Sequence, residues 1–119
     1  MAQNASSAPQ QIVRRDLLTA ALDAGARIDR VEIKRIDLAP GQPTGLHRHP
    51  CPVVGTIVAG TILFQIDGQA AKTLQAGDAL FEPANVRILH FDNPSMQQSA
   101  SFIAMYLLGG GERRLIEML

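Results

Sequence analysis

Between residues 29 and 109 the sequence consists of short apolar, β-prone runs, each of which ends at a turn rich in glycine or proline. Gly60 and Asp67-Gly68 predict hairpin turns. Pro83 ends the run Ala79–Glu82, because proline has no N–H with which to pair a neighbouring strand. Strands of this length between such turns predict an all-β sandwich or barrel. We expect one core, lined by inward-facing residues such as Ile62, Phe64, Ile66, Val86 and Ile88.

The first of these runs, Arg27–Leu38, changes its pattern in the middle. Apolar residues alternate with polar ones on both sides of Lys34-Arg35, but the phase differs between the two sides. A change of phase within a strand predicts a β-bulge. The apolar positions are Val31, Ile33, Ile36 and Leu38.

Length, charge and cysteine content limit the classes to which this chain can belong. The 119 residues suffice for one domain, and 11 basic residues cancel 11 acidic ones, so no polyanionic partner is indicated. No apolar run approaches the roughly 20 residues of a membrane span, and the lack of tryptophan argues against a nucleic-acid stacking surface. The single cysteine, Cys51, would be a soft metal ligand or a half-buried thiol. We expect a cytoplasmic protein without membrane or nucleic-acid partners.

Two of the three histidines, His47 and His49, lie one residue apart in a stretch bounded by glycines. On an extended strand, residues two apart point to the same face. Neighbouring imidazoles on a rigid strand suit a divalent transition metal such as iron, manganese, nickel, copper or zinc. The pair therefore predicts a metal site, and the alternative is two histidines that line a barrel mouth without metal.

The spacing around this pair resembles the first motif of the cupin superfamily, in particular of its small single-domain members. That motif is Gly, five residues, His-x-His, three or four residues, Glu, six residues, Gly. Here it runs from Gly41 through His47 and His49 to Gly60, with every spacing matched. The metal-binding glutamate of the family is replaced by Val53.

The second cupin motif is also present in altered form. It is Gly, five residues, Pro-x-Gly, two residues, His, three or four residues, Asn, and it matches Gly77 to Asn93. Asn85, which tolerates a left-handed backbone, replaces the glycine, and Ile88 replaces the histidine. The resemblance covers residues 29–109 and implies a cupin double-stranded β-helix, a jelly-roll-like antiparallel β-barrel with a short N-terminal arm.

The flanks of the barrel are less regular. Residues 1–11 predict a disordered tail, and residues 110–119 a tail or a short helix. Residues 12–28 form the predicted arm, within which Ile12–Ala24 has two interpretations. Leu17, Leu18 and Leu22 would form one face of a helix that stops at Gly25, whereas the resemblance implies a strand that crosses to a partner subunit. We expect a homodimer in which the arm covers an exposed sheet edge.

His90 is the third candidate metal ligand. It lies two residues beyond Ile88, where the family keeps its histidine, and two residues along a strand preserve the face. We therefore expect His90 to point inward with Ile88. The alternative is a polar residue in the cavity or at its rim.

The remaining candidates concern the substrate. Tyr106 would orient a substrate or donate a proton, or would be a wall residue with a satisfied hydroxyl. Arg48 and Arg87 would bind an anionic substrate at the mouth, or are simply solvated. Glu82 and Asp92 do not fall at ligand positions of the resembled family, so neither is predicted as a ligand.

These observations predict a cupin that binds a divalent transition metal through His47 and His49, with His90 as the third ligand, and a small organic molecule beside it. The resemblance implies dioxygenase-like or isomerase-like chemistry, with the metal as Lewis acid or oxygen activator. The alternative is a non-enzymatic cupin with an eroded metal site, indicated by Val53 and Ile88, that binds a small apolar molecule or none.

Overall fold

The computed structural model describes residues 10–119 as two antiparallel sheets, and this range contains no α-helix. The all-β prediction is therefore confirmed. No helix in this range is long and apolar enough to cross a bilayer. In chain order the strands are β1 (Arg30–Leu38), β2 (His47–Arg48), β3 (Val53–Ala59), β4 (Thr61–Ile66), β5 (Lys72–Gln75), β6 (Ala79–Glu82), β7 (Ile88–Asp92), β8 (Ala100–Leu108) and β9 (Glu117–Met118).

The strands form a four-stranded sheet in the order β1-β8-β3-β6 and a five-stranded sheet in the order β5-β4-β7-β2-β9. Every connection except β4–β5 crosses from one sheet to the other, which is the jelly-roll pattern. The core lies between the sheets. Of the predicted core residues, Ile62, Phe64 and Ile88 are buried there, and Ile66 and Val86 pack against them partly buried.

Two predicted local features differ in the structure. Gly60 joins β3 to β4, but these strands lie in different sheets, so the predicted hairpin is wrong and Gly60 marks a crossing. The hairpin at Asp67-Gly68 is confirmed by the pairing of β4 with β5.

Strand β1 contains no bulge at Lys34-Arg35, because its register against β8 is continuous along its whole length. The change of phase instead exchanges the faces on which apolar residues lie. Ile36 lies opposite the buried Phe102 and faces the core. Val31 and Ile33 have the opposite parity, face outward and are 49% and 64% exposed. The edge strand β1 therefore carries exposed apolar residues on the outer face of the four-stranded sheet.

At the flanks the helical interpretation of Ile12–Ala24 is wrong, whereas a strand that crosses to a partner subunit stays a prediction. Within this chain residues 10–29 form neither helix nor strand, and Ile12, Val13 and Leu17 are between 61% and 76% exposed. Residues 1–9 of the predicted tail lie outside the described residues. The segment 110–119, predicted as a tail or short helix, contains strand β9, which pairs with β2.

Cys51 belongs to the core, where it is 4% exposed. Burial, followed by the negative charges of Glu112 and Glu32, raises the pKa of its thiol to about 11. The thiolate, which is the reactive and metal-binding form, is therefore scarce at neutral pH. The structure supports a buried thiol at this position.

We predict that Cys51 of the native protein reacts with the thiol reagent DTNB about 100-fold more slowly at pH 8 than in urea-unfolded protein. The raised pKa lowers the thiolate fraction, and burial restricts access of the reagent. The absorbance of the released chromophore gives both rates. Similar rates in the two states would contradict the buried, neutral thiol.

Candidate metal centre

Three buried side chains, those of His47, His49 and Glu82, meet between the two sheets. Nε2 of His49 lies 3.4 Å from Oε1 of Glu82, and Nε2 of His47 lies 3.9 Å from Oε2. All three side chains are at least nine-tenths buried. Within residues 10–119 no other group of three histidine, cysteine or acidic residues could hold a metal ion. The structure therefore joins the predicted histidine pair to a carboxylate.

Backbone carbonyls fix the orientation of both imidazoles. Nδ1 of His47 lies 2.7 Å from the carbonyl oxygen of Gly45, and Nδ1 of His49 lies 2.6 Å from that of Leu115. A carbonyl oxygen only accepts hydrogen bonds, so each Nδ1 donates one and carries the proton. Nε2 of each neutral ring then presents a lone pair to the side where Glu82 lies. Metal-binding histidines are typically held in this way.

The three facing groups together favour a positive charge among them. With the proton of each imidazole on Nδ1, both Nε2 atoms and the carboxylate of Glu82 present lone pairs to one another, and either a proton held between His49 and Glu82 or a metal ion would stabilise this buried arrangement. Burial by itself lowers the pKa of His49. Hydrogen bonding with Glu82, the charge of Glu82 and the Leu115 carbonyl outweigh burial and raise that pKa above its usual value. Glu82 thus favours a positive charge beside it.

The donor set fits a divalent transition metal. With metal–ligand bonds of about 2.1 Å, tetrahedral donor atoms lie roughly 3.4 Å apart, and the two separations from Glu82 are 3.4 Å and 3.9 Å. Two imidazoles and one carboxylate are a common ligand set that leaves coordination positions open. Small side-chain adjustments would therefore complete such a site.

Glu82 reaches the site from the sheet opposite to the histidines. Strand β6 belongs to the four-stranded sheet and β2 to the five-stranded sheet. On the adjacent strand β3, Val53 lies directly opposite Glu82 and lines the same cavity. Glu82 was not predicted as a ligand because it is not at the family's ligand position, yet its carboxylate lies one strand away from that position. The sequence contains one signal for an inward-facing Glu82. Leu80 is an apolar residue of the same strand, and Glu82, two positions further along, shares its face.

Asn85 helps to place this carboxylate against the histidine strand. It is the non-glycine residue with a positive φ, 65°, in residues 10–119, as its place in the second motif predicted. Its N–H donates a 2.7 Å hydrogen bond to the carbonyl oxygen of His49. The turn that follows Glu82 is therefore tied directly to His49.

The three side chains line one end of a cavity of about 160 Å³. Within residues 10–119, two buried side-chain polar atoms lack a hydrogen-bond partner, Oε2 of Glu82 and Oγ1 of Thr44, and both residues line this cavity. Buried polar atoms are seldom unpaired in native proteins. Both atoms are therefore available to a group bound in this cavity. The other walls are mostly apolar and include Ile36, Leu80, Phe91, Phe102, Ala104 and Ile116.

Tyr106 lies in the same cavity. Its ring centroid is 5.8 Å from that of His49, and Phe102 and Ala104 line the cavity from the same strand, β8. Burial, followed by the charge of Glu82, raises the pKa of the Tyr106 hydroxyl. The phenol therefore keeps its proton at neutral pH and can donate it as a hydrogen bond.

His90 is not brought to the other two histidines. The register of β7 against β4 shifts between Ile88 and His90, which makes Leu89 the extra residue of a bulge. The core-facing positions of β7 therefore change from even-numbered to odd-numbered residues after Ile88, and Phe91 is the next buried residue. The His90 side chain is 47% exposed, and its Nδ1 lies 2.7 Å from Oδ2 of Asp92. The expectation that His90 faces inward with Ile88 is wrong, and His90 is not part of the group described above.

The predicted arginines lie at the surface. Arg48 pairs with Glu117, and Arg87 lies 3.3 Å from a carboxylate oxygen of Asp67. The two arginine side chains are 41% and 54% exposed. Ile88, at the family's second-motif histidine position, is fully buried and pairs with His47 across β7 and β2. Both altered ligand positions of the family, residues 53 and 88, are thus apolar and buried.

Comparisons with known proteins agree with this architecture. A sequence model described as "Cupin domain" matches residues 34–106, more than half of the chain. No curated protein matches the sequence. Similar solved structures include an oxalate oxidase in complex with the substrate analogue glycolate, with 22% identity and a TM-score of 0.64 over 75% of this chain and 46% of that chain.

Two further structures are similar at the same level. A structure of DMSP lyases has 21% identity and a TM-score of 0.62, over 75% of this chain and 44% of that chain. A cupin-like protein from Thermotoga maritima has 22% identity and a TM-score of 0.63, over 75% of this chain and 64% of that chain. The chain thus spans less than two thirds of each of these neighbours, and at these identities the likeness concerns the fold. The matched sequence model and the two-sheet jelly roll show that this chain belongs to the cupin superfamily.

Proposed function

We propose that this cupin holds one divalent transition metal through His47, His49 and Glu82 and binds a small organic monoanion in the adjoining cavity. The observation that carries the proposal is the pair of unpartnered buried atoms, Oε2 of Glu82 and Oγ1 of Thr44, in the same cavity. A metal ion would satisfy the first atom, and a bound molecule would satisfy the second.

The chemistry of the donors supports iron, manganese, nickel, copper or zinc. Imidazole suits all of these metals, and the carboxylate adds a hard oxygen that favours iron and manganese. A metal held there would supply Lewis acidity or activate oxygen. The protein itself contributes a dry, shaped site, two oriented imidazoles and the Tyr106 hydroxyl. These features support an oxidoreductase of dioxygenase type or an isomerase.

The charge of the site supports a monoanionic ligand. A divalent metal with one carboxylate, Glu82, carries a net charge of about +1, because both imidazoles are neutral. Within residues 10–119, no lysine or arginine lines the cavity to neutralise a second negative charge. A dianion would therefore leave an uncompensated buried charge, which is costly.

The cavity also limits the size and polarity of the ligand. Its volume of about 160 Å³ resembles the roughly 150 Å³ cavity that accommodates benzene. A molecule of roughly six to eight heavy atoms therefore fits. Its anionic group would face the metal and Thr44, and its apolar part would contact Leu80, Phe91 and Phe102. The hydroxyl of Tyr106 would donate a hydrogen bond or a proton to it.

The alternative is a non-enzymatic cupin that binds an apolar molecule without metal. Val53 and Ile88 favour it, because both family ligand positions are apolar here. The buried Glu82 opposes it, because an apolar ligand leaves its unpartnered oxygen unsatisfied. Metal content separates the two.

We predict near-stoichiometric metal in protein expressed with metal supplements, measured by elemental analysis, and its loss in His47→Ala/His49→Ala. Glu82→Gln should weaken Zn²⁺ binding by about 100-fold or more, because it removes the one anionic donor. Its metal-free form should melt at or above the wild-type temperature, since a buried charge is removed.

A double variant provides the matched control. Val53→Glu/Glu82→Val moves the carboxylate to the opposed residue of the neighbouring strand, where side chains begin about 5 Å apart. It should recover most of the Zn²⁺ affinity that Glu82→Val loses. Only traces of metal in the wild type under all supplements would reject the metal centre and leave the non-enzymatic alternative.

For the ligand, we predict that metal-loaded protein binds 4-methylpentanoate at least about tenfold more tightly than succinate. The two molecules have the same number of heavy atoms, but an isopropyl group replaces one carboxylate. Titration calorimetry measures both affinities, with 4-methylpentanamide as the uncharged control, which should bind weakly. Equal or tighter binding of succinate would contradict the monoanion assignment.

The outer face of the four-stranded sheet supports a homodimer. One residue from each strand, in adjacent register, forms an apolar row across the whole sheet: Ile33, Met105, Val54 and Phe81. Ile33 is 64% exposed and the other three residues are half-buried, and contiguous exposed apolar patches mark interaction surfaces when they are large. A second copy supplies the same row about a two-fold axis, as in most homodimers.

Ile33→Glu should convert the dimer to a monomer at about 10 µM, because a glutamate buried in the dimer interface would lack a compensating charge. Size exclusion with light scattering measures the mass. Met96→Glu is the matched control, since Met96 is 78% exposed on the loop between β7 and β8. It should leave the mass unchanged. A monomeric wild type would reject the dimer without affecting the metal centre.

A further inference from the structure

We infer that strand β9 is a positioning element of the metal centre, which orients both metal-binding imidazoles from outside and covers the cavity mouth. The inference rests on the proposed metal site but concerns residues that no cupin motif contains. Strand β9 is only Glu117–Met118, an edge strand paired with the histidine strand β2.

The orientation of His49 depends directly on this segment. Its Nδ1 donates to the carbonyl oxygen of Leu115 over 2.6 Å, and Leu115 lies two residues before β9. Loss of this acceptor would free the imidazole to rotate or to exchange its proton between Nδ1 and Nε2. Either change would remove the lone pair that faces Glu82.

The orientation of His47 depends on the same segment indirectly. The carbonyl of Gly45 accepts the hydrogen bond from Nδ1 of His47. Gly45 has a φ of +85°, and a Cβ there would lie 2.9 Å from the terminal methyl group of Met118. Met118 therefore packs directly on the residue that holds His47. Residues 115–118 thus supply one acceptor carbonyl, that of Leu115, and pack on Gly45, which supplies the other.

Half-exposed contacts hold β9 in place. Glu117 pairs with Arg48, the residue between the two histidines, and lies 3.8 Å from Arg114. The N–H of Leu119 donates a 3.0 Å hydrogen bond to the carbonyl oxygen of Leu46. These contacts are peripheral to the core, so β9 can be loosened while the barrel stays folded.

Ile116 links this strand to ligand access. Its side chain lines the cavity although it is 45% exposed, so it stands at the mouth. Docking of β9 and occupation of the site are then coupled, because each favours the same arrangement of His47 and His49.

The test uses the full chain with Glu117→Gln, which removes the charge that pairs with Arg48, and Leu119→Pro, which removes the N–H bonded to Leu46. Glu112→Gln is the matched control, since Glu112 is on the same segment and bonds only within it through its side chain. Zn²⁺ affinity is measured by competition with a chelating dye. Imidazole tautomers are read from ¹⁵N shifts of histidine-labelled, metal-free protein, with the surface residue His90 as internal reference.

Glu117→Gln and Leu119→Pro should each weaken Zn²⁺ binding by about tenfold or more, as outer hydrogen-bond partners of metal ligands do. The shifts of His47 and His49 should move toward a mixture of tautomers, while those of His90 and the melting temperature stay unchanged. Unchanged affinity and tautomers in both variants, or equal effects of Glu112→Gln, would overturn the inference. If the wild type binds no Zn²⁺, the metal centre is rejected, and the tautomer shifts alone decide whether β9 positions the histidines.

Discussion

The structure depends on one unusual constraint, a buried carboxylate that faces two imidazole lone pairs. Glu82 lies among apolar side chains, and its neighbours His47 and His49 are held as acceptors by backbone carbonyls. Such a group is stabilised by a proton or a metal ion among the three side chains. Three features of the cavity surround this position: the two imidazoles oriented by backbone carbonyls, the unpartnered oxygen of Glu82 and the ring of Tyr106.

The two-sheet architecture brings these groups together. The histidines lie on or directly after strand β2 of the five-stranded sheet and the carboxylate on the four-stranded sheet, so neither sheet has the three side chains alone. Val53 and Ile88, which occupy the family's carboxylate and histidine positions, form apolar walls beside the site. The wall lowers the local polarity, which strengthens electrostatic interactions between the remaining charged groups. The three side chains present, two imidazoles and one carboxylate, are therefore still a ligand set that could hold a metal ion, although the family motif has one more ligand.

The periphery of the barrel has specific features that the core does not explain. Strand β1 carries apolar residues on its outer face at Val31 and Ile33 and on its inner face at Ile36 and Leu38. Met118 of strand β9, outside both family motifs, packs on Gly45, and Leu115, two residues before β9, supplies the carbonyl that orients His49. The last strand thus connects the surface to the site through hydrogen bonds and packing, over one or two residues.

The sequence by itself determined the fold class, most strand positions, the histidine pair and the left-handed backbone at Asn85, because alternation, turn residues and motif spacing are local properties. It could not determine which carboxylate meets the histidines. Glu82 is far from His47 in the chain, and only the packing of two sheets places them together. His90 was misplaced because one bulge residue, Leu89, reverses the inward parity of a strand. Strand pairing across the barrel, rather than any local pattern, decided which polar side chains share the cavity, since registry and sheet packing arise from contacts between distant residues.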